Sequence, residues 1–173
     1  MKASRFWISY VILVAVQIVL CDCFNLTQLL TLWFLPVLVL CMPIRTGTVA
    51  ALLIAFATGM AVDFLSQGVP GLCTAALLPV AFCRRFIIGV VFGSEVFSRS
   101  EDISVRRQGI PKMTLAIVMA TGLFLLIYIL ADGAGTRPFW FNAGRFVVSL
   151  LVDSVLSLFL AGTLSNDEGS RWR

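Results

Sequence analysis

The chain has 173 residues, 60% hydrophobic and 13% charged, with a net charge of +4 and no histidine; its mean hydropathy is +0.99. Soluble domains carry about 25% charged residues, so this composition excludes a water-soluble core and implies a membrane protein crossing the bilayer several times. At about 20 residues per span, the length holds at most six or seven spans in a single integral membrane domain, 1–173, and leaves no room for a separate soluble domain.

Six apolar segments follow one another. Span 1 runs over about Phe6 to Cys21, behind Lys2 and Arg5. It resembles a signal peptide, but no small-x-small cleavage site follows and Leu20 is a poor neighbour for a lipoprotein cysteine, so it reads as an uncleaved span. Span 2 runs over about Gln28 to Met42, with Asn25 to Gln28 offering an N-cap and Pro36 predicting a kink in its middle. Span 3 runs over about Thr46 to Leu65. Its small residues Ala51, Ala55 and Gly59 recur every fourth position and predict a smooth face for close helix packing within the molecule.

Span 4 starts near Pro70 and reaches at least Phe82, where two readings compete. The stretch Leu72 to Cys83 makes only about 18 Å of helix, whereas the hydrocarbon core is about 30 Å thick. In the first reading the helix tilts or starts early, Arg84 and Arg85 snorkel to the inner interface, and residues 86–97 lie along it. In the second the helix continues through Phe92, and an arginine inside the bundle needs a partner. Asp153 is then the candidate, because its depth in span 6 matches within the reach of an arginine side chain. The first reading keeps both arginines within the charge pattern and is the expectation. Gly89 and Gly93 form a GxxxG, a weak signal that a helix end also explains. A polar loop over 93–112 leads to span 5, about Met113 to Ala131, and span 6 covers about Arg145 to Leu164.

The basic residues sort these spans. With the N-terminus inside, eleven of the thirteen lysines and arginines fall on the inner side and only Arg137 and Arg145 on the outer. The positive-inside rule then predicts six spans with both termini cytoplasmic in an inner membrane. Topology thus accounts for the positive charge, and no nucleic-acid partner is implied. Trp7, Trp33 and the cluster Phe139-Trp140-Phe141 fall at predicted interfaces, as an aromatic belt would.

Chemistry has little to work with. Histidine is absent, the only lysines are Lys2 and Lys112, and no Gly-rich phosphate loop is present. The five cysteines form no CxxC pair, and Cys21, Asp22 and Cys23 lack a second ligand group, so they read as small apolar residues. Neither an enzyme nor a metal or cofactor site is expected.

The distinctive stretch is Gly59-Met-Ala-Val-Asp63-Phe-Leu-Ser66-Gln-Gly68-Val-Pro70-Gly71-Leu72. Asp63 lies about 27 Å along span 3 from Arg45, near the outer interface. Two roles are open to it there. It can cap the helix that starts at Pro70-Gly71, where a carboxylate is favourable, or it can be a recognition point for a partner.

This pattern, Gly59, Asp63, Ser66, Gly68, Pro70, Gly71 and Leu72, resembles the signature turn of the rod shape-determining MreD family, and the small polytopic layout with a basic tail is similar too. The early Arg84-Arg85 pair and Asp153 in the last span depart from that layout. The resemblance implies a fold similar to the S-component of energy-coupling-factor vitamin transporters. It implies a non-enzymatic scaffold of the bacterial cell-wall elongation complex. The partners implied are MreC and, indirectly, MreB, a SEDS-type polymerase and a class B penicillin-binding protein. Asp63, the 66–71 turn and the small face of span 3 would dock the partner. The rival expectation is a vitamin-binding transporter subunit with an outward pocket near span 6 and Trp140.

Overall fold

The computed structural model describes residues 2–24, 33–43, 46–67, 71–93, 109–132 and 139–166. All regular structure among them is helical: α1 (Lys2–Phe24), α2 (Leu35–Leu40), α3 (Thr48–Val62) running into a π-helical turn (Asp63–Gln67), α4 (Leu72–Phe92), α5 (Ile110–Asp132) and α6 (Phe139–Asn166). Four stretches are long and apolar enough to cross a bilayer: Thr48–Ser66, Leu72–Phe92, Ile110–Asp132 and Trp140–Ala161. In α1 the comparable apolar stretch is the shorter Trp7–Cys21.

The distribution of polarity is that of a bundle in lipid. Val11, Leu53, Phe64, Phe82, Phe86, Leu151, Val155 and Phe159 point outward and exposed, while Gln17, Thr58, Asp63, Thr74, Arg84, Thr121, Arg145, Ser149, Asp153 and Ser157 are buried. A bilayer imposes this arrangement, because a polar side chain facing hydrocarbon finds no partner. α4 sits centrally, packed on α3 and α5, with α6 against α5 and α1 against α3 and the π turn.

Span 2 needs correction. Its described helix covers only six residues, Leu35–Leu40, about 9 Å long. Every one of the six is buried, and α2 packs against α4, α5 and α1. It is a short internal helix wedged into the bundle. Pro36 lies at its start rather than kinking its middle, a position where the missing N–H costs nothing. The proposed cap over Asn25 to Gln28 lies outside the described residues. Trp33 is 2% exposed and packs in the core with its ring tilted against those of Phe124 (5.6 Å) and Tyr128 (5.2 Å), so it belongs to no interfacial belt. Trp140 is 86% exposed.

Span 4 also differs from expectation. α4 is one helix through Arg84 and Arg85 to Phe92, with Pro79 inside it. It stops at Gly93, whose φ is +84° and whose N–H donates to the Gly89 carbonyl. The second of the two readings therefore describes this helix, and the GxxxG pattern marks a helix end.

Ala51, Ala55 and Gly59 are buried on one face of α3, as their spacing predicts. At Gly59 the approach of α4 is close enough to exclude any side chain. A Cβ there would lie 2.7 Å from the Thr74 Cα.

Candidate functional site

The hairpin between α3 and α4 is locked by one carboxylate. Asp63 opens the π turn, which widens the helix by one residue at that point. Its side chain is 0% exposed. Oδ1 accepts the Cys73 N–H at 2.8 Å, and Oδ2 accepts the N–H groups of Gly71 (3.1 Å) and Thr74 (3.0 Å) and the Thr74 hydroxyl (2.7 Å). The first N–H groups of a helix have no partner within it, and in lipid water cannot serve them. Asp63 supplies that partner across the turn, with the favourable sign for a helix N-terminus. Gly71 makes the geometry possible: its φ is +100°, a left-handed conformation open to glycine without strain. Four donors converge on its two oxygens, three of them on Oδ2. Of its two possible roles, the cap is filled, and no exposed oxygen remains for a partner. Ser66 lies in the π turn with its hydroxyl buried and without a partner among the described residues. Gly68 and Pro70 of the motif lie outside the described residues.

A second charge acts on α2. Arg84 is 3% exposed. Its Nε donates to the Leu40 carbonyl (3.3 Å), and its terminal nitrogens donate to the carbonyls of Met42 and Pro43 and, at 3.5 Å, to the Thr46 hydroxyl. The Leu40 carbonyl belongs to the last turn of α2, where positive charge is favourable; those of Met42 and Pro43 follow the helix, and that of Pro43 also accepts from the Thr46 N–H and hydroxyl. Arg85, one residue on, faces outward from α4.

The start of α2 is held from two other helices. Asp153 of α6 accepts the Trp33 N–H through Oδ1 at 3.0 Å. Gln17 of α1 accepts the Phe34 N–H at 3.2 Å and turns its amide nitrogen to Cys21 Sγ, also at 3.2 Å. At the α5–α6 connection Arg145 pairs with Asp132 at 2.6 Å. Between α1 and α3, Tyr10 and Thr58 share a hydrogen bond of 2.9 Å.

The candidate ion pair between Arg84 or Arg85 and Asp153 is not formed. Asp153 spends Oδ1 on Trp33, its Oδ2 has no partner among the described residues, and the Arg84 guanidinium is turned to the end of α2. Depth alone suggested the pair. The short helix between the two residues takes one charge at each of its ends.

Gly59, Asp63 and Gly71 are thus gathered with Thr74 and Cys73 into one locked hairpin, whereas Arg84 and Asp153 belong to the seat of α2. Thr74 and Gln17 were missed. For Thr74 a signal existed, since a hydroxyl three residues after Gly71 stands where a helix start is being capped. Among the described residues no group of three or more His, Cys, Asp or Glu is placed to hold a metal ion. No family model, curated protein or solved structure matches the chain.

Proposed function

We propose that the chain is a non-enzymatic scaffold in the bacterial cytoplasmic membrane, acting with MreC in the cell-wall elongation complex. The observation that supports this reading is the behaviour of the motif that resembles the MreD signature. Its Gly59, Asp63 and Gly71 act together: one admits Thr74, one caps α4, and one makes the turn. A signature spent on holding two helices in register suits a protein whose product is a shape. The docking surface would then be the apolar outer faces of the bundle beside this hairpin, with Phe64 and Leu65 exposed at the turn itself. A partner's transmembrane helix would pack there by van der Waals contact. The eleven-to-two split of basic residues supports both termini on the cytoplasmic side, and it requires the segment that contains the short α2 to complete a crossing between α1 and α3.

The test is genetic and biochemical. Deleting the gene in its own rod-shaped host should give round cells, rescued by the wild-type chain, and tagged protein should copurify with MreC. Normal rods after deletion, with no MreC in the purified complex, would refute the assignment.

A second reading, a small-molecule binding subunit, rests on the polar interior at Gln17, Trp33 and Asp153. Mass spectrometry of an organic extract from purified protein distinguishes it: a stoichiometric vitamin-sized compound would favour it over the scaffold.

A further inference from the structure

Most buried charges among the described residues find partners, though Arg145 leaves its Nε without one, and three of the unpartnered polar atoms lie together on one turn of α6. Asp63 has four donors, Arg84 has the carbonyls at the end of α2, and Arg145 has Asp132. Asp153 is 1% exposed and has a partner for Oδ1 only. Its Oδ2 has none among the described residues, and neither do the buried hydroxyls of Ser154 and Ser157 or the indole N–H of Trp33. Asp153 and Ser157 are four apart on α6, and Ser154 and Ser157 three apart. Ser157 is therefore the helical neighbour of both, with Cβ atoms about 5–6 Å apart in each pair.

The serines sharpen the point. A hydroxyl inside a helix ordinarily falls back on the carbonyl four residues earlier. Thr58, Thr114 and Thr121 of this chain all do so, at 2.7–2.8 Å. Ser154 and Ser157 do not. Buried polar atoms left without partners are few in native proteins and mark a missing water, ion or ligand.

We propose that the turn Asp153–Ser157 of α6 binds a monovalent metal cation of sodium size, through Asp153 Oδ2 and the hydroxyl oxygens of Ser154 and Ser157. Charge selects the class. One carboxylate and one monovalent cation sum to zero, which an apolar interior tolerates, whereas a divalent ion would leave an uncompensated positive charge. Oxygen donors suit such a hard cation, and soft metals have no thiolate or imidazole cluster here. The Trp33 N–H fixes Oδ1 and thereby leaves Oδ2 for the ion. The Trp33 indole N–H cannot ligate a cation, but it can donate to a water in the ion's shell. This site is independent of the scaffold reading.

The experiment uses the full chain in detergent, at fixed pH and ionic strength, with sodium chloride replacing N-methylglucammonium chloride. Thermal unfolding should move upward saturably with sodium. The shift should vanish in Asp153→Asn and need at least tenfold more sodium in the double variant Ser154→Ala, Ser157→Ala. Equal melting temperatures in the two salts would overturn the site, as would an undiminished sodium shift in Asp153→Asn. So would calcium acting at lower concentration than sodium. If Asp153→Asn does not fold, the double serine variant decides: an unchanged half-saturating concentration refutes the assignment.

Discussion

Replacing Gly59 by alanine tests whether the close approach of α3 and α4 is what the signature turn protects. The new Cβ would lie 2.7 Å from the Thr74 Cα, 2.9 Å from its Oγ1 and 3.1 Å from its nitrogen. Carbon atoms pack comfortably at about 3.5–4.0 Å, so the helices must part by about 1 Å. The nearest atom is backbone, and no rotamer change relieves it. Parting strikes the cap as well, because the two Thr74 hydrogen bonds to Asp63, now 3.0 and 2.7 Å, run across the same gap. Overpacking costs about 1–3 kcal/mol, and weakening a cap about 1 kcal/mol more. At about 2–4 °C per kcal/mol for a chain of this size, the midpoint should fall by about 4–16 °C. With the other four cysteines replaced by serine, a thiol-reactive fluorophore reports the unfolding, since Cys73 is fully buried beside the cap and becomes reactive when the hairpin opens. Gly47→Ala is the control: nothing lies within 4 Å of a Cβ there, so its midpoint should hardly move. Truncating the Thr74 side chain should not rescue Gly59→Ala, because the first clash is with the main chain. Equal midpoints for Gly59→Ala and Gly47→Ala would refute the reasoning.

Other substitutions separate the remaining contacts. Arg84→Met keeps the bulk but strands the carbonyls at the end of α2, and should cost about 3–5 kcal/mol in chemical or thermal unfolding; a change under about 1 kcal/mol would show that the guanidinium is dispensable. Combining Arg84→Asp with Asp153→Arg should recover nothing over either single change, since the two side chains serve opposite ends of α2; recovery in a double-mutant cycle would reinstate the ion pair. Thr58→Val removes the hydrogen bond to Tyr10 and should cost about 1 kcal/mol of thermal stability, with a loss above about 3 kcal/mol pointing to some further role. A cysteine at Gln67 should react with an impermeant maleimide from the periplasmic face of intact cells, and labelling from the cytoplasmic face alone would invert the assigned topology.

The helices that cross the bundle were legible because their signal is composition over about 20 residues, which neighbours cannot disguise. Spans 3, 5 and 6 extend within a few residues of the expected limits, except that α6 begins earlier, at Phe139. The small face of α3 was legible for the same reason, as a period repeated along one element. Span 2 was not. Its residues are as apolar as any span's, and hydropathy cannot tell a helix that crosses lipid from a short one enclosed by other helices. Trp33 misled in the same way, because an aromatic near a helix end fits a belt or a core equally well until a partner such as Phe124 is known. Span 4 failed on a different assumption, that two adjacent arginines must reach the interface together. Neighbours on a helix point about 100° apart, and here Arg84 faces the bundle while Arg85 faces outward.

That divergence bears on how the interior charges are to be read. A carboxylate or guanidinium within a bilayer span invites a search for its opposite, and distance along the helices proposed Arg84 with Asp153. Yet the strongest unmet demand inside a helical bundle comes from backbone groups wherever a helix starts or stops short of water. α4 starts at such a place and α2 does both, and Asp63, Arg84, Asp153 and Gln17 go to those ends with the polarity each end requires. The presence of α2 therefore explains two charged residues, Arg84 and Asp153, that a mutual ion pair did not explain. It also explains why Asp153 retains an unanswered oxygen among the described residues: it serves a single N–H through Oδ1, whereas Asp63 serves three N–H groups and a hydroxyl through both of its oxygens.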